Sequence, residues 1–158
     1  MSLVNLANVC AHLKNCTMVK HGVAKIPLSR LHLNLSFHLY KQGFISAIQK
    51  GSDISPDDPN SPVDITPDNI SSRKLWLSLK YRDNQPVLSH ISLVSKPNLK
   101  IKLSPTEIKA LASGLYVRKI KPLQPAETIL VKADDNEILD LQQVAAKNLG
   151  GMPLCRFR

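Results

Sequence analysis

The sequence predicts a mixed α/β chain of the α+β kind, built from short helices and strands. Three observations carry that prediction. Leu3, Leu6, Ala7, Cys10 and Leu13 recur at helical spacing. Leu75, Leu77, Leu79 and Tyr81 alternate with Trp76, Ser78 and Lys80, the period of a half-buried strand. Segments of both kinds are brief and are separated by Pro, Gly, Asn and Asp turn signals, with no internal repeat. At 158 residues there is room for one ordinary domain or two small ones. Hydrophobic residues make up 43% and aromatics only 4%, so the core must rest on Leu, Ile, Val and Ala.

Taken in order, residues 3 to about 18 form an amphipathic helix, with His12, Lys14 and Asn15 around its edges. Val23 to Ile26 reads as a strand that stops at Pro27. Ser29 caps a second helix whose buried stripe is Leu31, Leu35 and Leu39, and Gly43 ends it. Phe44 to Gln49 is a strand. Gly51 to Ser72 holds Pro56, Pro59, Pro62, Pro67 and five aspartates without periodicity, so residues 51–72 form an acidic surface loop. Its charge should keep it away from bound phosphate. The strand Leu75 to Tyr81, the turn Arg82 to Gln85 and a returning run Val87 to Val94 predict a hairpin. Trp76 is expected to pack under a helix rather than serve as a base-stacking platform.

Composition changes at Leu93 to Lys102. Pro97-Asn98 signals a turn. Beyond it, Leu99 and Ile101 should point to a core, and Lys100 and Lys102 to something anionic. Ser104-Pro105-Thr106-Glu107 has the form of a capping box with proline at the first helical position, opening a helix to Ala112 before Gly114. Tyr116 to Ile120 and Thr128 to Lys132 read as strands, with Pro122 and Pro125 bracketing the turn between them. Asp134-Asp135-Asn136 turns into a helix from about Ile138 to Lys147. Gly150-Gly151 releases it, and Leu154 to Phe157 is a strand.

The formal charge is +9, which for a chain this size points to a polyanionic partner. Between Leu93 and Lys121 lie Lys96, Lys100, Lys102, Lys109, Arg118, Lys119 and Lys121 against one carboxylate, Glu107. No Asp or Glu precedes Asp53, whereas six Lys or Arg do. Acid-poor composition can mark a transit peptide. Here the segment carries formed helix and strand patterns and reads as folded domain in contact with an anion. Cys10, Cys16 and Cys155 show no framework spacing, which favours a reducing compartment. No apolar run has the roughly 18 residues a spanning helix needs.

Catalytic patterns are missing: there is no Gly-rich phosphate loop, nucleophile elbow or His-Glu-x-x-His. Adjacent Asp134 and Asp135 diverge on a turn. His12 and Cys16 lie one helical turn apart, but two ligands are not a zinc site. No enzyme activity, metal, cofactor, small-molecule substrate or membrane is expected. Lysines on strands, with hydroxyls and amides at turns, suit phosphate and ribose contacts.

Several motifs in order resemble the ribosomal protein S8 family of the small subunit. They are Val94-Ser95-Lys96-Pro97, Gly43-Phe44-Ile45, Leu79-Lys80-Tyr81, and Ala145-Ala146-Lys147-Asn148-Leu149-Gly150-Gly151 before the strand holding Cys155. Asn15-Cys16 stands where the family has Asn-Gly. The resemblance runs nearly end to end. It implies an N-terminal α/β domain, residues 1–94, with two helices on a three-stranded sheet, and a C-terminal, mainly β domain with short helices, residues 95–158. It also implies a structural protein binding small-subunit ribosomal RNA in the central region, among neighbouring ribosomal proteins. The contacts it leaves in place are Ser95, Lys96, Asn98, Lys100 and Lys102; the basic composition adds Arg118, Lys119, Lys121, Lys132 and Asn136 as expected RNA contacts, with Lys14, Asn15 and Arg30 in the first half.

Departures accompany it. The family's Ser-Thr-Ser-Lys-Gly loop falls on Ala133-Asp134-Asp135-Asn136-Glu137, where the hydroxyls give way to three carboxylates. The family's base-contacting Tyr becomes Lys102, and the Glu after Gly-Gly becomes Met152. These departures and the 51–72 loop are similar to fungal mitochondrial members and imply a mitochondrial matrix location. Import would then use an internal or uncleaved signal, a role the acid-free first helix fits. The alternative is a diverged member held mainly by protein neighbours.

Overall fold

The structure, a computed structural model, describes residues 3–58 and 63–158. Pro59 and Pro62 of the acidic loop lie outside the described residues. Helix and strand are mixed, as expected. The chain divides into two compact units: His12–Leu88, and Ser89–Arg158 together with the described residues up to Ala11. The division falls inside helix α1 (Leu3–Val19).

The first unit holds β1 (Val23–Pro27), α2 (Arg30–Lys41), β2 (Ile45–Gly51), β3 (Lys74–Leu79), β4 (Tyr81–Arg82) and β5 (Gln85–Pro86). Its main sheet is antiparallel in the order β1-β3-β2. Along β3, Leu75, Leu77 and Leu79 are buried and alternate with Lys74, Trp76 and Ser78, as the period of two requires. Ala24 and Ile26 of β1 are buried beside them. Helix α2 packs against β2 and buries Leu35 and Leu39. Ser29 caps it: the His32 amide donates to the Ser29 hydroxyl at 3.1 Å. Gly43, at φ +83°, follows the end of this helix in a conformation other residues resist.

Trp76 is not under a helix. In register with Lys25 and Gln49, it stands on the sheet face opposite the buried leucines. Its indole N–H donates to the Ser52 carbonyl at 3.0 Å. The Lys25 ammonium lies 5.7 Å from the ring centroid and pairs with Asp53 at 2.9 Å. The start of the acidic loop is thereby folded onto the sheet. Gly51 permits this: a Cβ there would lie 2.6 Å from Pro56 Cα and 2.7 Å from the indole nitrogen. Farther along, Arg73 pairs with Asp57, both largely buried, and reaches the Val63 carbonyl at 3.5 Å.

The expected long hairpin does not form. β4 and β5 pair for two residues around Asp83 and Asn84, both at positive φ. The returning run cannot add to β3, because β1 and β2 already occupy both its edges.

The second unit holds β6 (Ile91–Leu93), α3 (Pro105–Ala112), β7 (Thr128–Ala133), β8 (Ile138–Asp140), α4 (Leu141–Ala146) and β9 (Gly151–Phe157). The sheet is antiparallel, ordered β6-β9-β7-β8. Since β6 pairs with β9, the chain changes unit at Ser89 rather than after Val94. Leu103, Ile108, Leu111, Ile129, Val131, Leu141 and Val144 form its core. The capping box at α3 forms as the sequence requires: Ser104 accepts from the Glu107 amide at 3.3 Å, and Glu107 accepts from the Ser104 amide at 2.8 Å.

Three expectations in this half are corrected. Tyr116 to Ile120 is a tight turn, with Arg118 at φ 50° and the Ile120 amide donating to the Val117 carbonyl. Ile138 to Asp140 is a strand, because Asn136 at φ 64° reverses the chain and registers Ile138 on Lys132. Leu99 to Lys102 is not a regular strand: Leu99 is 59% exposed, and only Ile101 reaches the core.

Candidate nucleic-acid interface

The expected basic stretch becomes a tight turn. The Lys96 amide donates to the Leu99 carbonyl at 3.0 Å, and the Leu99 amide to the Lys96 carbonyl at 3.1 Å. Pro97 and Asn98 occupy its tip. Ser95 is wholly buried, and its hydroxyl bridges the amide and carbonyl of Ile101, both at 3.4 Å. Ser95 therefore fastens the turn and presents no side chain to a ligand. Lys96, Asn98 and Lys100 project from the fastened turn into solvent. Among the described residues neither lysine has an ion-pair partner.

Lys102 and Arg118 are exposed but compensated. The Lys102 ammonium lies 2.8 Å from Asp134 Oδ1. Arg118 donates to Glu107 at 2.7 and 3.1 Å and to the Lys102 carbonyl at 3.0 Å. The amide of Ser104 and then the Arg118 guanidinium hold the Glu107 carboxyl below its ordinary range. Lys119 and Lys121 are exposed, and among the described residues neither forms an ion pair. Arg156 anchors their segment by donating to the carbonyls of Lys121 at 2.7 Å and Pro122 at 3.2 Å. It also sits 3.1 Å from Glu127 in a pair that is nearly buried.

Asn136 is exposed in the β7–β8 turn, and Lys132 is half-buried on β7. In that turn the carboxylates act as local partners. Asp134 holds Lys102, and Glu137 lies 3.4 Å from Lys147. The turn also sits against Gly150, where a Cβ would come 2.9 Å from Asp134 Oδ2. Lys14, Asn15 and Arg30 are exposed but belong to the first unit, on α1 and at the start of α2. Sequence reasoning missed Tyr116, 64% exposed beside the Arg118 turn. An aromatic two residues after Gly114 in a basic segment was the available signal.

Among the described residues, no group of three or more His, Cys, Asp or Glu could hold a metal ion. No described helix is long and apolar enough to cross a membrane.

The family model for ribosomal protein S8 matches residues 5–157. The chain belongs to the ribosomal protein S8 family. A small ribosomal subunit protein uS8m of Schizosaccharomyces pombe is 37% identical over 155 residues, covering 98% of this chain and all of the relative. A uS8m of Neurospora crassa is 29% identical over 163 residues, covering the full length of both. A uS8c of Guillardia theta is 24% identical, over 95% of this chain and 94% of the relative. Family membership read from the Val94-Ser95-Lys96-Pro97 and Leu149-Gly150-Gly151 motifs is borne out along the whole chain.

Proposed function

We propose that the chain is a structural constituent of the mitochondrial small ribosomal subunit, without catalytic activity, that docks on small-subunit ribosomal RNA. Full-length similarity to two fungal uS8m proteins supports the subunit and the compartment. One observation carries the docking site: the Ser95-fastened turn holds Lys96 and Lys100 as exposed cations, while nearby Lys102 and Arg118 are already neutralised. Lys96, Lys100, Lys119 and Lys121 meet phosphates, and Asn98 offers an amide to ribose or a base edge. Such contacts fix position and shape more than sequence. Lys132 and Asn136 are lesser contacts beside the acidic β7–β8 turn.

The test is binding of the purified chain to a small-subunit ribosomal RNA transcript across a salt series. Changing Lys96 and Lys100 together to Ala should flatten the log–log salt slope by about 0.7–0.9 per lysine. Lys102→Ala should change it less. An unchanged slope in the double variant would overturn this docking site. It would favour a chain held mainly by protein neighbours, a reading supported by the carboxylates of the β7–β8 turn.

A further inference from the structure

Helix α2 has an unusual outer face. Its inner side buries His32, Leu35, Ser36, His38 and Leu39. Its exposed residues are Arg30, Leu33, Phe37, Tyr40 and Lys41. Leu33, Phe37 and Tyr40 are 37%, 57% and 51% exposed and recur at i, i+4 and i+7. They therefore make one stripe about 10 Å long at the 1.5 Å helical rise. A solvated helix face normally carries polar residues there. Here the exposed polar groups, apart from the Tyr40 hydroxyl, are the two cations at its ends, about 16 Å apart along the axis, with Asn34 half-buried between them.

We propose that this face is a docking surface for an acidic amphipathic segment of another protein. Phe and Tyr are residue types enriched at protein interfaces, and Tyr and Arg are among those that carry their binding energy. The charges say what the partner must bring. No carboxylate occurs anywhere before Asp53, and among the described residues Arg30 and Lys41 have no ion-pair partner. A complementary segment has an apolar stripe with carboxylates near both ends, meeting Arg30 and Lys41.

Two other occupants fit less well. A second copy packed symmetrically would set Arg30 of one chain against Lys41 of the other, cation on cation. RNA would find phosphate partners only at the two ends of this face, about 16 Å apart, and of the three large residues between them Leu33 offers no stacking plane. Arg30 thus belongs to a protein contact rather than to the RNA set the sequence suggested. The inference is independent of the RNA-docking site in the second unit.

The experiment places a photo-crosslinking amino acid at position 37 of the full chain in cells, with a control at Asn84, another exposed site of the same unit. Whether the chain sediments with small subunits is scored separately and reports on the proposed function. The expected result is a position-37 cross-link to a carboxylate-rich, amphipathic protein segment, absent from the control. Reversing the end charges together, Arg30→Glu with Lys41→Glu, should lower its yield about tenfold or more, whereas Arg30→Lys with Lys41→Arg should preserve it. Circular dichroism of both double variants checks that α2 still folds. A cross-link to RNA, to a second copy or to a basic segment would overturn the proposal, and so would no cross-link or one indifferent to charge reversal.

Discussion

The ammonium of Lys102 lies 2.8 Å from Oδ1 of Asp134, so a cation of the basic stretch is neutralised by the β7–β8 turn. Asp134→Asn removes the partner and keeps the shape. Both groups are at least half exposed, so stability should change by less than about 1 kcal/mol. RNA binding should tighten, with the salt slope steeper by about 0.7–0.9, as for one added cation. Titration of the variant against the same transcript decides the matter, and an unchanged slope would place Lys102 away from the RNA.

Glu107 ties the capping box to the Arg118 turn. The Ser104 amide and the Arg118 guanidinium favour its ionised form, so its folded-state pKa lies below the ordinary 4.5. A lowered carboxyl contributes stability that is fully present above that ordinary value and fades as pH falls through the folded one. Glu107→Gln should therefore be less stable than the parent at pH 7, and the gap should close under acid. Chemical denaturation at pH 7 and pH 3 tests this. A gap that widens at pH 3 would contradict the assignment. Ser104→Ala, which removes the other half of the box, should cost about 1 kcal/mol with a weaker pH dependence, since the Ser104 hydroxyl is the least of the groups that lower Glu107.

Arg73 and Asp57 form the least exposed carboxylate pair of the first unit among the described residues. Arg73→Ala strands a carboxylate and should destabilise by about 3 kcal/mol. Combining it with Asp57→Asn should cost clearly less than the sum of the single changes, because the two share one interaction. Urea melts of the four proteins give the coupling, and simple additivity would show that the pair does not hold the loop.

Much of the fold was legible because local chemistry and packing agree. Ser29 and Ser104 begin helices where cap residues should, and the alternation along Leu75 to Leu79 is the burial pattern observed. The failures have physical causes. Five residues of strand-like character at Tyr116 to Ile120 say nothing about φ, and Arg118 turns left-handed with its guanidinium held by Glu107. The hairpin after Leu79 failed because β3 had no free edge, a property of topology rather than of residues 80–94. Ser95 stood in the right motif but faces inward, since a one-residue difference in direction decides whether a hydroxyl meets a ligand or the chain's own backbone. For α2 the sequence reading covers only a buried stripe, Leu31, Leu35 and Leu39, and misses the outer one. Only the knowledge that His32, Leu35, Ser36, His38 and Leu39 fill the buried side makes Phe37 and Tyr40 surplus.

The position of β9 between β6 and β7 carries a consequence for how the second unit comes into being. Synthesis delivers β6 first and β7 next, and neither is hydrogen-bonded to the other. Until Gly151–Phe157 arrives, β6 has no partner in its sheet and β7 has only the three-residue β8. The nascent chain must carry those open edges, which invite pairing with other chains. Closing them requires contacts distant in sequence, such as Ile91 with Phe157, a topology that slows folding. The first unit can complete its sheet from residues made earlier, so the two halves of the molecule mature at different moments.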